Sequence, residues 1–439
     1  MKSLLSIGAV LFILDALLGI LALLKRQFNL SGEITRKTIH IAMGGICLSF
    51  PWIFDSFWPV LLLCISSTAF MFWLRRQQGG SIQGVLHAVG RKSCGEIYFP
   101  LAVTLLFVVK TDPITDYFVP ILVLTLADAI GALVGIRYGA AKFTTDEGHK
   151  SIEGSLAFFI TAFLSTHIPL LLGTDVERLE SLLVATIIGL LIMLVEATSW
   201  RGLDNLFIPL GTYLFLNVYE HMDATALGIR IFGLLLILAF FYLIRKHNYA
   251  RDTALLAGGL TLYLIWAVVG WLWALTPLLM MLAYCFMCHT DEKDWQTRHG
   301  ISDLCAVAGP GLIWLFIFGS RNMPEALFPF SISWSAQIGI IFAAYTTRKR
   351  PDASETAIAF SGGLSGLLIA LPTLTLGGRL PPLVVSYSAG FLASALATWL
   401  FWRFEWLNRK STLRPNRPWR QFAYGFLASL LCLIPALAL

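Results

Sequence analysis

The chain has 439 residues, of which 57% are apolar and 13% are charged, and its formal net charge is +6. A soluble globular domain is about 25% charged and about 45–50% apolar. The composition therefore excludes a water-soluble globule, because this chain has too few polar residues to cover the surface of one. It also excludes a disordered chain, because disordered segments are poor in apolar residues. A multi-pass membrane protein is the class that remains.

Sixteen apolar stretches follow one another along the chain. They cover approximately 4–24, 38–54, 57–74, 97–110, 118–136, 153–172, 182–198, 205–219, 226–244, 253–269, 271–288, 303–319, 327–346, 356–374, 382–402 and 420–438. A transmembrane helix needs about 20 mostly apolar residues. The sequence therefore predicts an all-α polytopic integral membrane protein with about 16 transmembrane helices.

The loops between these stretches carry basic residues in an alternating pattern. If the N-terminus lies outside and the spans alternate, 26 of the 32 Lys and Arg residues fall in cytoplasmic loops. Basic residues collect on the cytoplasmic side of membrane proteins, so we expect both termini to be non-cytoplasmic. This orientation accounts for the net positive charge. We expect no nucleic-acid partner and infer no obligate protein partner. A bacterial plasma membrane and an endoplasmic reticulum membrane fit equally well.

Six polar clusters lie at or near the cytoplasmic ends of spans in the first half of the chain. They contain Arg36, Lys37 and His40; Glu96; Asp128; Lys150, Ser151 and Glu153; Glu196; and Asp204 with Asn205. Ionisable residues at membrane depth are costly, and their default interpretation is functional. Asp128 lies in the middle of its span with no cation beside it in the sequence. A purely structural role is therefore harder to accept for Asp128 than for the other residues.

Simpler interpretations exist for several of these residues. Arg36 and Lys37 can be interfacial anchors, and His40 can be a hydrogen-bonded interior histidine. Glu96 and Asp204 can be helix N-caps or first-turn acids. Each cluster alone is weak evidence of a site. Their convergence on one face of the membrane is what favours a functional interpretation.

The residue types in these clusters suit phosphoryl or nucleotidyl transfer. Mg²⁺ prefers one or two carboxylates plus phosphate oxygens, and the available carboxylates are Asp128, Glu153, Glu196 and Asp204. The cations that can neutralise a polyphosphate are Arg36, Lys37, Lys142 and Lys150. Transfer of this kind depends mostly on positioning and charge stabilisation. The sequence therefore predicts a magnesium- and nucleotide-dependent transferase site that faces the cytoplasm.

Two further residues fit the same chemistry. Ser151 and the backbone amides after it can bind phosphate at a helix N-terminus, and His40 is a candidate proton acceptor. Gly131, Gly135 and Gly139 recur every four residues, a spacing that permits close helix packing or close backbone approach. No Gly-x4-Gly-Lys-Ser/Thr loop occurs in the sequence, so a P-loop nucleotide site is not expected.

The pattern resembles a known family. Asp128 to Gly139, followed by Lys150-Ser151-Ile152-Glu153-Gly154-Ser155, resembles the membrane-bound CTP-dependent lipid kinases: dolichol, phytol and farnesol kinases and CTP-dependent diacylglycerol kinase. More distantly it resembles phosphatidate cytidylyltransferase. Three other segments are similar to kinase motifs: Arg36-Lys37-x2-His40, Gly95-Glu96-x-Tyr98-x-Pro100 and Glu196-x2-Ser199-x4-Asp204-Asn205. The resemblance covers roughly residues 30–220, in the family's order.

The resemblance implies a CTP-dependent kinase for a polyprenol, dolichol, phytol or related lipid alcohol in the bilayer, with the nucleotide arriving from the cytoplasm. Its implied catalytic residues are Asp128, Lys150, Glu153 and His40, with Glu96 as a further candidate. Its implied phosphate- and nucleotide-binding residues are Arg36, Lys37, Lys142, Lys150, Ser151 and Asn205. Its implied Mg²⁺ ligands are Asp128, Glu196 and Asp204. CTP as the phosphoryl donor enters through the resemblance alone.

Two other functions fit the sequence. A cytidylyltransferase that joins CMP to a phospholipid or polyprenyl phosphate needs the same carboxylates and cations. A transporter also fits a chain with many spans and Gly and Pro breaks, although the charged clusters crowd one face of one half. We expect a kinase-like catalytic domain over residues 1–250. Residues 251–439, which lie outside the resemblance, are expected to form a second helical membrane domain whose role the sequence does not indicate.

Overall fold

A computed structural model of the chain describes residues 2–28, 31–76, 94–109, 114–145, 148–245, 250–289, 299–321, 323–350, 352–377, 382–406 and 417–437. The chain forms two compact units, Met1–Phe232 and Gly233–Leu439. The boundary between them lies within a helix, whereas the sequence analysis divided the chain at residue 250.

Unit 1 consists of helices and one short hairpin. Its elements are α1 Lys2–Phe28, α2 Gly32–Leu48, α3 Phe50–Ile53, α4 Phe57–Arg76, α5 Gly95–Val109, α6 Thr115–Tyr138, β1 Lys142–Thr145, β2 Gly148–Ser151, α7 Ile152–Gly173, α8 Arg178–Thr198 and α9 Asp204–Tyr219. Helix α10, Ala224–Ile244, crosses the boundary between the units.

The helices of unit 2 follow from α10. They are α11 Asp252–Val269, α12 Trp271–His289, α13 Ile301–Arg321, α14 Leu327–Lys349, α15 Glu355–Leu376, α16 Leu383–Phe401, α17 Arg417–Leu431 and α18 Leu433–Leu437. A 3₁₀ turn, Pro324–Ala326, precedes α14, and a π-helical turn, Trp402–Trp406, follows α16.

The helical membrane architecture predicted from the sequence is confirmed. Each of the sixteen apolar stretches contains a helix. Ten helices among the described residues are long and apolar enough to cross a membrane, and three shorter apolar helices accompany them: Phe57–Phe70, Ile97–Val109 and Trp271–Met287. The count of sixteen spans and the side on which the termini lie stay predictions.

A β-hairpin is the feature that the helical prediction missed. Strands β1 and β2 pair in antiparallel register, with Lys142 opposite Ser151 and Phe143 opposite Lys150. The second strand ends where α7 begins, because Ser151 is the N-cap of that helix. The hairpin therefore delivers Lys150 and Ser151 directly to the start of α7.

Helix α6 lies at the centre of unit 1 and packs against α2, α7 and α9. Its contact with α2 is unusually close, because a side chain at Gly44 would collide with the side chain of Thr125. Tyr117 reinforces this contact by donating a hydrogen bond to the carbonyl oxygen of Cys47 (2.9 Å). Small residues permit such approaches between membrane helices, and this one brings the N-terminal half of α2 alongside Asp128.

Helix α14 occupies the centre of unit 2 and packs against α13, α15 and α16. Small and hydroxylated residues line its contacts: the hydroxyls of Ser335 and Ser394 are 2.7 Å apart. A Cβ at Gly339 would lie 2.7 Å from the hydroxyl oxygen of Thr398. This is the packing by small and weakly polar residues that membrane helices use where apolar burial gives no preference for protein over lipid.

Candidate active site

A cavity of about 510 Å³ lies among α2, α5, α6, α7, α8, α9 and the hairpin of unit 1. Its volume falls in the range of ligand sites, roughly 300–1,000 Å³. Ten of the twelve residues singled out from the sequence line it: Arg36, Lys37, His40, Asp128, Lys142, Lys150, Ser151, Glu196, Asp204 and Asn205. Six separate segments of the sequence therefore converge on one site.

The most buried charges of the site form a single ion pair. The Nζ atom of Lys37 lies 2.7 Å from both carboxylate oxygens of Asp128, and the two side chains are 3% and 9% exposed. Two buried charges are tolerable only when they neutralise and hydrogen-bond each other. No cation lies next to Asp128 in the sequence. The cation comes instead from α2, which the contact at Gly44 holds against α6.

His40 completes this cluster one turn further along α2. Its Nε2 atom lies 3.1 Å from the carbonyl oxygen of Leu124 and 3.4 Å from Asp128 Oδ2. Both neighbours are hydrogen-bond acceptors, so Nε2 is the ring nitrogen that carries the proton. Nδ1 is then the nitrogen able to accept a proton. Phe99 packs edge-on against the ring, with 5.4 Å between the ring centroids.

A second, more accessible ion pair lies where the hairpin meets α8. Lys150 Nζ lies 2.9 Å from Glu196 Oε1 and also donates a hydrogen bond to the backbone carbonyl of Glu196. Their side chains are 29% and 19% exposed. Since Glu196 is close to the C-terminus of α8, where backbone carbonyls lack helical partners, the ammonium group neutralises both the acid and the helix end.

Ser151 joins the hairpin to a glycine-lined helix contact. Its Oγ accepts a hydrogen bond from the amide of Gly154 (3.1 Å), which caps α7. A Cβ at Gly139 would lie 2.6 Å from that same Oγ, and a Cβ at Gly131 would lie 2.9 Å from the Cβ of Phe158. The four-residue glycine spacing therefore serves close packing of α6 on α7, and it also forms part of the cavity wall.

Asp204 follows a turn of unusual backbone conformation. Arg201 and Gly202 have φ angles of 55° and 83°, and the carbonyl of Arg201 accepts a hydrogen bond from the amide of Cys94 (2.9 Å). In the described part of the chain, no hydrogen bond or ion pair engages the Asp204 carboxylate. Neighbouring Asn205 donates a hydrogen bond from Nδ2 to the carbonyl of Gly202 (3.3 Å).

The two outer cations of the site differ from the buried ones. Arg36 Nε donates a hydrogen bond to Glu33 Oε2 (2.8 Å), and its side chain is 44% exposed. Lys142, at the start of β1, is exposed and lines the cavity. Both can change conformation at little cost, because surface pairs are weak, and both are suited to meeting an incoming anion.

Two predicted residues are placed differently. Glu153 does not line the cavity: its Oε1 accepts a hydrogen bond from the backbone amide of Ala141 (3.0 Å), which ties the first turn of α7 to the residue before β1. Its catalytic role stays a prediction, and the observed contact is structural. The side chain of Glu96 lies outside the described residues, although its backbone begins α5.

The carboxylates can hold a magnesium ion only together with oxygen atoms from substrate phosphates and water. Among the described residues, no three His, Cys, Asp or Glu side chains are gathered closely enough to hold a metal. Mg²⁺ does not need such a cage, since it is usually bound by one or two carboxylates together with substrate phosphates and water. Among the described lining carboxylates, Glu33, Asp128 and Glu196 are each paired with a basic side chain, whereas Asp204 is not.

Sequence analysis missed the apolar wall of the cavity. Ile39, Met43, Phe99, Pro100 and Phe158 line it beside the charged groups. Along α2 the lining runs from Glu33 to Met43, roughly 15 Å at a helical rise of about 1.5 Å per residue. Within apolar stretches such residues carry no signal of their own. The available indication was their proximity in sequence to polar residues already singled out: Ile39 and Met43 lie within three residues of His40, and Phe99 lies three residues after Glu96.

The polar lining residues that were missed include His149 and Trp200. His149 lies next to Lys150 in β2 and is exposed. The residues Thr144, Thr145 and Gly148 are the sequence signal for this hairpin, since β-branched residues favour strands and Gly148 has a φ of 132°.

Comparison with known proteins identifies the family of this chain. A phytol kinase from Synechocystis sp. is 30% identical over 212 residues, which are 48% of this chain and 89% of that protein. No protein family model matches the chain, and no solved structure matches it. Because nearly the whole of the relative aligns at that identity, the chain belongs to the family of polyprenol and phytol kinases.

Proposed function

We propose that unit 1 is a kinase that transfers the γ-phosphoryl group of CTP to the hydroxyl group of a lipid alcohol, an isoprenoid such as phytol. Family membership supports the kinase reaction and the class of acceptor. The choice of CTP follows from the motif resemblance. We further propose that the site faces the cytoplasm, because the basic loops are expected on that side.

The observation that carries this proposal is the composition of the cavity wall. The wall includes Lys150, Lys142 and the carboxylate of Asp204, which suit a polyphosphate with its metal ion. It also includes Met43 and Phe99, which suit a hydrocarbon chain. A kinase for a lipid alcohol must bring a highly charged donor and an apolar acceptor into one site, and this cavity offers both surfaces.

The reaction that we propose is a direct transfer. The hydroxyl oxygen of the lipid attacks the γ-phosphorus, the bond from that phosphorus to the β,γ-bridging oxygen breaks, and CDP leaves with the bonding electrons. Negative charge on the transferring group is stabilised by cations such as Lys150. The alcohol proton passes to Nδ1 of His40, whose ring is held by Leu124 and Asp128.

Magnesium belongs to this proposal as a partner of the nucleotide. Asp204 would hold it together with phosphate oxygens, and the ion would neutralise the phosphates. Asp128 would contribute as a second carboxylate when its pairing with Lys37 loosens. Lys37 and Lys150 neutralise the carboxylates of Asp128 and Glu196, which lowers the cost of burying those charges and leaves Asp204 as the carboxylate most open to a cation.

The test uses purified full-length protein, Mg²⁺, and CTP labelled in separate reactions at the α- and γ-phosphorus, with phytol as the acceptor. We expect γ-label in the lipid product and no α-label. Label from the α-position in the lipid would replace the kinase by a cytidylyltransferase. Absence of both labels from the lipid, with phytol and with an extracted lipid mixture, would refute transfer altogether. Parallel reactions with ATP, GTP and UTP test the choice of CTP.

A further inference from the structure

Trp200 is an aromatic residue of the unit 1 cavity whose ring has no partner of its own. It lines the cavity and is only partly buried. In the part of the chain that the structure describes, no hydrogen bond and no ring contact engages its side chain. The indole ring can therefore meet a ligand in the cavity without first giving up a contact with the protein.

A tryptophan in a second cavity shows the alternative, a ring that the protein itself packs. This cavity has a volume of about 240 Å³, lies within unit 2 and is lined by Trp334 among mostly apolar residues. Trp334 is 3% exposed, and its ring meets that of Phe330 edge to face, with 6.3 Å between the ring centroids. Trp334 is thus a packed core residue, whereas Trp200 is partly exposed and has no such contact.

The backbone that carries Trp200 is held by contacts on two sides. The carbonyl of Trp200 accepts a hydrogen bond from the amide of Leu203 (3.1 Å), within the turn that leads into α9. The carbonyl of Arg201 accepts one from the amide of Cys94 (2.9 Å), next to the start of α5. The turn therefore presents the indole ring from a defined backbone position.

Trp200 lies close to the lysine that is proposed to bind phosphate. The amide of Ser199 donates a hydrogen bond to the backbone carbonyl of Glu196 (3.3 Å), and the ammonium group of Lys150 donates to the same carbonyl. Trp200 follows directly, beyond the end of the apolar span Arg178–Thr198. A ligand whose phosphates meet Lys150 would therefore have its remaining part within reach of the indole ring.

A nucleobase is the ligand group that suits a ring in this position. Bases stack on aromatic side chains, and every base offers a π-face for such a contact. The hydrocarbon chain of a lipid acceptor can also contact an indole ring. It would arrive from the bilayer, however, whereas Trp200 lies past the end of its span, on the side from which the nucleotide is proposed to enter.

We propose that Trp200 is the stacking surface for the base of the nucleotide that binds in unit 1. This inference rests on the proposed function, because it needs a nucleotide in the cavity. It depends neither on the choice of CTP nor on completion of phosphoryl transfer. Stacking on one ring tolerates any base, so discrimination among bases would come from other contacts.

The test is equilibrium dialysis of purified full-length protein with Mg²⁺ and without a lipid acceptor. The ligands are CTP, ATP, GTP and UTP, and inorganic triphosphate, which lacks a base. At least one nucleotide should bind the wild type more tightly than triphosphate. Trp200→Ala should weaken binding of that nucleotide by about fivefold or more, the lower end of the range for base–aromatic stacking, and should leave triphosphate binding nearly unchanged. Unchanged nucleotide binding, or an equal loss for triphosphate, would overturn the proposal. So would a wild type that binds no nucleotide better than triphosphate.

Two matched variants separate stacking from a structural role. Trp200→Phe keeps an aromatic face and should retain most of the nucleotide affinity. Trp52→Ala removes a 67% exposed tryptophan of unit 1 outside the cavity lining and should change neither ligand. If Trp200→Ala does not fold, photolabelling of the wild type decides, with CTP that carries an azido group on C5 of the base. The label should fall on residues 199–203, and labelling confined to α2 and α5 would overturn the proposal.

Transfer of γ-label to phytol, measured on the same preparations, distinguishes this inference from the kinase reaction. Wild-type nucleotide affinity in Trp200→Ala, with transfer in the wild type, would overturn the stacking site and leave the kinase in place. A selective loss of nucleotide affinity in Trp200→Ala, with no transfer in the wild type, would support the stacking site and overturn the kinase.

Discussion

The two cavities of this protein differ in how they use charge. The described lining of the unit 1 cavity has four lysine or arginine side chains and four carboxylates, from α2, α6, α8, α9 and the hairpin, and it suits a charged donor beside an apolar acceptor. The cavity of unit 2 has mostly hydrocarbon and one acid, Asp303, among its described lining residues. Charge inside a membrane protein is costly. The concentration of charge in the unit 1 cavity supports the proposal that group transfer occurs there, whereas the described lining of the unit 2 cavity offers a single acid.

Among the variants that test this comparison, Asp128→Asn should have the largest effect on phosphoryl transfer. It should lower phosphoryl transfer by about 10³-fold, on the scale of losing a preorganised charge from a catalytic site. It also leaves the ammonium group of Lys37 buried without a counter-ion, which typically costs about 3–5 kcal/mol of stability. Transfer of γ-label to phytol and thermal unfolding in detergent measure the two effects.

The double variant Lys37→Met/Asp128→Asn separates those two effects. It removes both charges, so it should recover most of the lost thermal stability and remain inactive. If the double variant regained transfer, Asp128 would be only a structural partner of Lys37, and the charged cavity would lose its most buried catalytic group.

The next largest effect is expected from Lys150→Ala. The loss of this ammonium group should reduce transfer by about 10²–10³-fold, because it removes a positive charge that we propose stabilises the transferring phosphoryl group. The Lys150–Glu196 pair is more exposed than the Lys37–Asp128 pair, so the stability loss should be smaller. Arg137→Ala is the control, since Arg137 lies outside the cavity lining and stacks on Tyr138. A similar loss of transfer in both variants would refute the specific role of Lys150.

A third comparison uses two neighbouring glycines of α2. Gly44→Ala forces a side chain against Thr125 and should cost about 1–3 kcal/mol by overpacking. It should also lower transfer, because α2 carries Lys37 and His40. A Cβ at Gly45 meets nothing within 4 Å, so Gly45→Ala should be neutral or slightly stabilising. Thermal unfolding and transfer assays of the two variants decide, and equal behaviour would mean that α2 and α6 can separate without harm.

The smallest expected effect is a pH dependence of stability that comes from Glu220, the residue that follows the C-terminus of α9 in unit 1. Burial, with a contribution from Asp116, raises the pKa of Glu220, and His221 opposes this shift. Folding therefore disfavours the ionised form. The contribution of Glu220 to stability is fully present below its unfolded pKa of about 4.3 and is lost as the pH rises through the raised folded pKa. Glu220→Gln should flatten thermal stability over that interval, whereas an unchanged pH profile would assign the dependence to another group.

The sequence was sufficient to predict the helices and most of the charged residues that line the cavity, because both leave local signals. Hydrophobic stretches of sufficient length predict helices, and ionisable residues inside them are unusual enough to stand out. The sequence did not show that Lys37 pairs with Asp128, which lies 91 residues away. That pairing depends on the contact between Gly44 and Thr125, neither of which carries charge. Nor did it show that Glu153 faces Ala141 rather than the cavity, since one position on a helical turn decides this.

The hairpin of unit 1 sets a limit on how the chain can vary near the site. In its ladder Phe143 pairs with Lys150, and Lys142 pairs with Ser151. Neighbouring side chains of a strand point to opposite faces, so a slip of one residue would exchange those faces. Such a slip would turn the Lys150 ammonium group away from Glu196 and move the Ser151 hydroxyl away from the first turn of α7. Insertions or deletions of a single residue between the strands should therefore be far less tolerated than substitutions, even though the strands themselves are only four residues long.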